Sequence, residues 1–133
     1  KRTENMKLQL SMIFDGFSDR YENIKIIACH AGGALPYLVG RFDTAFEKMP
    51  PCREIISERP SSYYNRLYFD SISYTQEALE LCLNVAGSEK LLYGSDYPHN
   101  VGDMEGCLSR VEALPSNVQN AVKGGNAMKL FGL

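Results

Sequence analysis

The chain has 133 residues, 44% apolar and 23% charged, with 14 Lys and Arg against 16 Asp and Glu for a formal net charge of −2. That composition fills the core of one globular domain and leaves no case for disorder or for a basic nucleic-acid surface. No apolar run approaches the roughly 18 residues of a membrane span, and Lys1-Arg2-Thr3-Glu4-Asn5 lacks the apolar stretch of a signal peptide, so a soluble, cytoplasmic chain with no nucleic-acid or membrane partner is expected.

The segment Glu4 to Phe17 places Leu10, Ile13, Phe14 and Phe17 on one helical face, with Thr3 available as its N-cap. Ile24 to Cys29 is a short, mostly apolar, β-branched run that suits a strand buried on both faces, and it ends in His30-Ala31-Gly32-Gly33. Helical spacing returns from Leu35 to Met49, with Leu38, Phe42, Ala45, Phe46 and Met49 on one stripe, and Pro50-Pro51 stops it. Residues 52–66 read as a long polar connection with about one helical turn. Leu67 to Ile72 is the second strand; Ala78, Leu79, Cys82, Val85 and Ala86 line a helix that Gly87 closes with a left-handed cap. Lys90 to Gly94 is the third strand, ending at Ser95-Asp96-Tyr97-Pro98-His99. Asp103 caps a helix with Met104, Cys107, Leu108 and Val111 on its stripe; Ser116 begins another, and Asn126 to Phe131 forms the last. Strands alternating with helices predict parallel pairing in an α/β fold, with strands near 24–29, 67–72 and 90–94.

Of the four cysteines, no pair has C-x-x-C spacing, which excludes a zinc ribbon or a thioredoxin-type pair. Cys29 and Cys82 fall in apolar segments and are expected in the core. The Tyr63-Tyr64 pair reads as packing.

Three strands each end near an ionisable residue: His30, Asp70 and Asp96. In parallel α/β folds those carboxyl ends carry the ligand-binding loops. His30 can act as acid or base or bind a metal, and the glycines after it let backbone approach a ligand. Asp96 can ligate a divalent metal or take a proton, or serve as a turn aspartate satisfying local N–H groups. Asp70 is the weaker candidate, and its favoured role is to hydrogen-bond a neighbouring loop. Arg41, on the helix after His30, can clamp a carboxylate or lie solvated; His99 can line the same mouth or a plain loop. With only two histidines and no H-x-H, a complete zinc site cannot be assembled from the chain. Nucleophile-elbow, Walker and dinucleotide-binding motifs are absent.

Cys29-His30-Ala31-Gly32-Gly33-Ala34-Leu35-Pro36-Tyr37-Leu38-Val39-Gly40-Arg41 and Tyr93-Gly94-Ser95-Asp96-Tyr97-Pro98-His99 resemble signatures of the amidohydrolase-related family that includes aminocarboxymuconate-semialdehyde decarboxylase and resorcylate decarboxylases. Ile13 to Phe17, Ile24 to Ile26 and the ending Gly125-Asn126-Ala127 to Leu133 resemble it too, so the likeness runs through nearly the whole chain in order. The resemblance implies a distorted (β/α)8 barrel around one divalent metal, usually zinc. It implies that Asp96 is the carboxylate metal ligand of the last strand and His30 the catalytic histidine. It further implies that Arg41 reaches the substrate carboxylate across a dimer interface. His99 stands where the semialdehyde decarboxylase has a pocket phenylalanine. Such a barrel needs about 250 residues, and the family's first-strand H-x-H and fifth-strand histidine are missing.

The expectation is therefore a single C-terminal piece, residues 1–133, of a metal-dependent hydrolase barrel, supplying its last three β/α units. The parent would hydrolyse or decarboxylate a small carboxylate-bearing substrate. His30 would manage proton transfer, Asp96 would hold the metal, and Arg41 and His99 would bind substrate. The isolated chain would be inactive, bind metal weakly, and form a homodimer or higher oligomer over its bare strand edges. The alternatives are a non-catalytic α/β binding module and a freestanding small doubly wound domain.

Overall fold

Each apolar run forms a strand shorter than itself. The computed structural model describes residues 11–133, with strands β1 (Ile26–Ala28), β2 (Leu67–Asp70) and β3 (Leu91–Leu92). They lie in the order β1-β2-β3, both pairs parallel, in the register Ile27↔Tyr68 and Asp70↔Leu92. Strand alternation with helices therefore gives parallel pairing, as expected. The ladders stop early because the chain leaves extended geometry at the carboxyl ends, where His30 takes a positive φ of 59°.

Side chains alternate across a strand, so the register sorts the sheet into two faces. Ile26, Ala28, Leu67 and Phe69 turn toward the helices and pack with Leu35, Tyr64, Leu79, Leu91 and Val111. The opposite face carries Ile27, Cys29 and Tyr68, with Lys90 Nζ 4.4 Å from the Tyr68 ring centre. Ile27 is 37% exposed and Cys29 is exposed. Burial of β1 on both faces, and Cys29 as a core residue, are thus corrected: among the described residues the helices cover only one face of β1, while β3 is buried on both. Cys82 is buried as expected, and burial pushes its thiol up to about 12.

Residues 11–14 are helical, the chain turns at Asp15 and Gly16, and α1 (Phe17–Arg20) follows, so the first helix is interrupted rather than continuous. Gly16 makes the break with φ 68°. Ile13 is buried as the stripe requires; the proposed Thr3 cap and Leu10 lie outside the described residues. Helix α2 (Leu35–Lys48) stops before Pro50. The 52–66 connection is more ordered than expected, with a 3-10 turn (Pro50–Arg53) and α3 (Pro60–Tyr64). Tyr63 and Tyr64 are buried there, their hydroxyls donating to Asp19 Oδ2 at 2.7 Å and to the Leu35 carbonyl at 2.9 Å.

Helix α4 (Gln76–Ala86) is capped by Thr75 Oγ1, which accepts from the Ala78 N–H at 3.3 Å. Gly87 ends it with a positive φ of 83° but an extended ψ of 154°, so the cap is not the αL form expected. Helix α5 (Met104–Glu112) begins as predicted, with Asp103 Oδ1 accepting from the Gly106 N–H at 2.8 Å. Helix α6 (Ser116–Asn120), a π turn (Ala121–Gly125) and α7 (Asn126–Phe131) follow. They lock β3 in place: buried Asn126 donates through Nδ2 to the carbonyls of Ser88 (2.7 Å) and Leu91 (2.8 Å). No helix among the described residues is long and apolar enough to cross a membrane.

Candidate functional site

The carboxyl ends of the three strands share one rim, and His30 and Asp96 meet there. His30 follows β1 and Asp96 follows β3, yet His30 Nε2 stands 3.6 Å from Asp96 Oδ1. The imidazole is 35% exposed and the carboxylate 9%. Both residues take left-handed backbone conformations, φ 59° and 62°, which L side chains disfavour and which cluster at functional sites.

Asp70, at the end of the central strand, points its carboxylate at backbone. Oδ2 accepts from the His30 N–H at 3.0 Å, and Oδ1 accepts from Ala31 at 2.9 Å and Ile72 at 3.0 Å. This is the loop-holding role favoured from sequence. Burial raises its carboxyl pKa, and the three N–H donors oppose that rise. Gly32 completes the turn: with φ +73°, a Cβ there would lie 2.6 Å from Phe69 Cε1. Only glycine lets this segment lie against the β2 aromatic ring.

Asp96 has a different environment. Its carboxylate is nearly buried, but its contacts with described residues are long: the His30 nitrogen at 3.6 Å and Tyr74 Oη at 3.5 Å. Tyr74 spends its short hydrogen bond on the Val101 carbonyl, at 2.6 Å. A nearly buried acid with only distant partners suits a cation. No three His, Cys, Asp or Glu side chains cluster to hold a metal among the described residues. The rim thus fits a divalent ion as a partial donor set, one carboxylate and one imidazole, against the three protein ligands a catalytic zinc commonly takes.

The other named residues lie apart. Arg41 is exposed on α2, one turn from exposed Tyr37. His99 is exposed in the loop after Asp96, its N–H donating to the Asp96 carbonyl at 2.9 Å and its carbonyl accepting from Gly102. Among the described residues no hydrogen bond or ion pair joins either side chain to the His30–Asp96 pair. Sequence reasoning passed over Tyr74, whose hydroxyl borders Asp96 from 22 positions away; no local pattern marks it. It also passed over Ser71, whose Oγ accepts from the Gly94 N–H at 3.1 Å and ties the second strand end to the third. A cleft of about 290 Å3 opens beside His30, lined by Pro36, Ile72, Tyr74, Ala78 and Leu81 among others.

The parallel sheet makes this an α/β protein, and it brings an imidazole and carboxylates to the strand carboxyl ends, the rim from which such folds bind ligands. A family model described as Amidohydrolase matches residues 1–133, and the chain belongs to that family. The family resemblance seen in the two motifs is borne out. The chain is 30% identical over 126 residues to the 2-amino-3-carboxymuconate-6-semialdehyde decarboxylase of Dictyostelium discoideum, covering 92% of this chain and 35% of that protein. Its fold matches the crystal structure of 5-carboxyvanillate decarboxylase LigW from Sphingomonas paucimobilis with a TM-score of 0.80 and 26% identity, over 94% of this chain and 38% of that one. It also matches a dihydroxybenzoic acid decarboxylase from Polaromonas sp. JS666, solved with bound manganese and an inhibitor, with a TM-score of 0.78 and 23% identity, over 99% of this chain and 40% of that one. The chain therefore spans about two fifths or less of the length of these proteins.

Proposed function

We propose that this chain is part of a divalent-metal-dependent decarboxylase acting on a small, unsaturated or aromatic carboxylate, and that it supplies the last three β/α units of that enzyme's barrel. The observation that carries this reading is the approach of His30 to Asp96 across the rim, at 3.6 Å, from residues 66 positions apart in a chain of the amidohydrolase family. The decarboxylase names of the relatives favour loss of CO2 over hydrolysis. The manganese in the Polaromonas structure supports a divalent ion without favouring zinc.

In this reading Asp96 is a metal ligand. When bound, the ion would supply a positive charge that anchors substrate oxygen and stabilises the negative charge developing there. His30, part-exposed on the same rim, protonates the substrate carbon as the bond to the departing carboxylate breaks and CO2 leaves. Arg41 carries a guanidinium suited to a second carboxylate, and because it is exposed on α2, it would do so from a surface shared with another chain. His99 would contribute to the substrate side of the mouth.

The test uses the full-length protein and a panel of hydroxybenzoates and carboxymuconate semialdehydes, with CO2 release as readout. His30→Asn is expected to lower kcat roughly 10²–10⁴-fold while leaving metal content unchanged. Asp96→Asn is expected to lower metal content as well as turnover. Wild-type turnover in both variants would overturn the reading.

A further inference from the structure

We infer that Asp70 is a positioning residue whose carboxylate holds the His30 turn in the left-handed backbone conformation that aims the imidazole at Asp96. The inference rests on the role given to His30 above and deepens it.

Four consecutive residues, His30, Ala31, Gly32 and Gly33, have positive φ, at 59°, 51°, 73° and 59°. Glycine accounts for the last two, since it adopts this region freely. His30 and Ala31 both carry a Cβ, which makes this region costly for them. The force that holds them comes from outside the loop. Asp70 lies on the neighbouring strand, 8% exposed, and its two oxygens receive the consecutive N–H groups of these two residues at 3.0 and 2.9 Å. Consecutive N–H groups converge on one acceptor group in such turns and bind anions. A return of His30 to negative φ would redirect its Cα–Cβ bond and carry Nε2 away from Asp96. The same carboxylate accepts from its own chain at Ile72, 3.0 Å away, which fixes its orientation. With three N–H donors engaged, this acid is committed to backbone, and Asp96 is left to face a cation.

Asp70→Asn in the full-length protein separates the contributions. The carboxamide oxygen can keep Ala31 and Ile72, but its NH2 group then meets the His30 N–H donor to donor. The expected result is a fall in kcat of roughly 10–100-fold with metal content and KM unchanged. The His30 amide proton, relieved of a charged acceptor, should move upfield in the ¹H–¹⁵N spectrum. Adding Ala31→Gly should recover part of the lost kcat, because glycine takes the left-handed conformation without steric penalty. An unchanged kcat and His30 amide shift in Asp70→Asn would overturn the inference. So would a loss that Ala31→Gly leaves untouched, since that would make the acid's charge matter rather than the backbone it holds. If Asp70→Asn does not fold, amide exchange in the unmodified protein decides: a His30 N–H as slow as a core amide supports the clamp, and one as fast as the exposed 97–100 loop overturns it. The spectra need no turnover, so an inactive full-length protein would remove the proposed function while the role of Asp70 is still decided.

Discussion

Gly32 and Gly33 share a left-handed backbone, and one added carbon has different consequences at each. At Gly32 a Cβ meets the Phe69 ring at 2.6 Å, whereas at Gly33 nothing lies within 4 Å. Gly33→Ala is expected to cost only the backbone term, about 1–2 kcal/mol. Gly32→Ala adds overpacking against a buried ring, a further ~1–3 kcal/mol. Urea denaturation of the two variants checks the difference; equal losses would mean that the close approach to Phe69 does not constrain the turn. Asp103 gives a residue-scale prediction of another kind. Its carboxyl pKa is lowered, first by the Gly106 N–H and then by Arg110, whose Nη2 lies 3.0 Å from Oδ2. A lowered folded-state value means that the ionised cap stabilises the fold above the ordinary carboxylate range, near pH 4. That contribution fades as pH falls through the lower folded value. Asp103→Asn keeps an oxygen for the cap and loses the charge, so its stability should fall less steeply between about pH 5 and 2. Thermal melts across that window check it.

At the scale of elements, the burial pattern of β1 says more than its composition. Ile24 to Cys29 is apolar enough for a strand covered on both sides, but the sheet places Ile26 and Ala28 against the helices and leaves Ile27 and Cys29 open. A run of apolar residues reports that a strand will be covered, not by what, because the covering element can lie far away in the chain. In the 133-residue chain alone, that face and the outer edges of β1 and β3 are expected to drive self-association. Ile27→Lys should lower the association measured by sedimentation velocity, since a charge on this face opposes contact between two copies. A wild-type chain that sediments as a monomer would sink this expectation. The strands also show the limit of reading boundaries from pattern. Each is trimmed where polar side chains and turn geometry compete with the ladder, at His30 after β1 and at Ser71 and Gly94 after β2 and β3.

For the whole molecule, the parallel order β1-β2-β3 brings three distant strand ends to one edge, and this turns scattered ionisable residues into a site. The element order and the cap at Asp103 were legible in the sequence, because helical periodicity, proline stops and capping residues are local signals. So was the family, because the stretches around His30 and Asp96 are short enough to keep a recognisable order of residue types. The mutual distance of His30 and Asp96 was not legible, nor was the proximity of Tyr74 to Asp96. Those depend on the register of β1 on β2 and of β2 on β3, and no segment of the chain encodes a register by itself. The role of Asp70 in holding a neighbouring loop was the one the sequence favoured, but which N–H groups it holds, those of His30 and Ala31, was set by the fold that buries its carboxylate beside a left-handed turn. Local propensity acts over a few residues, while burial and hydrogen-bond partners are set by whatever the fold brings alongside.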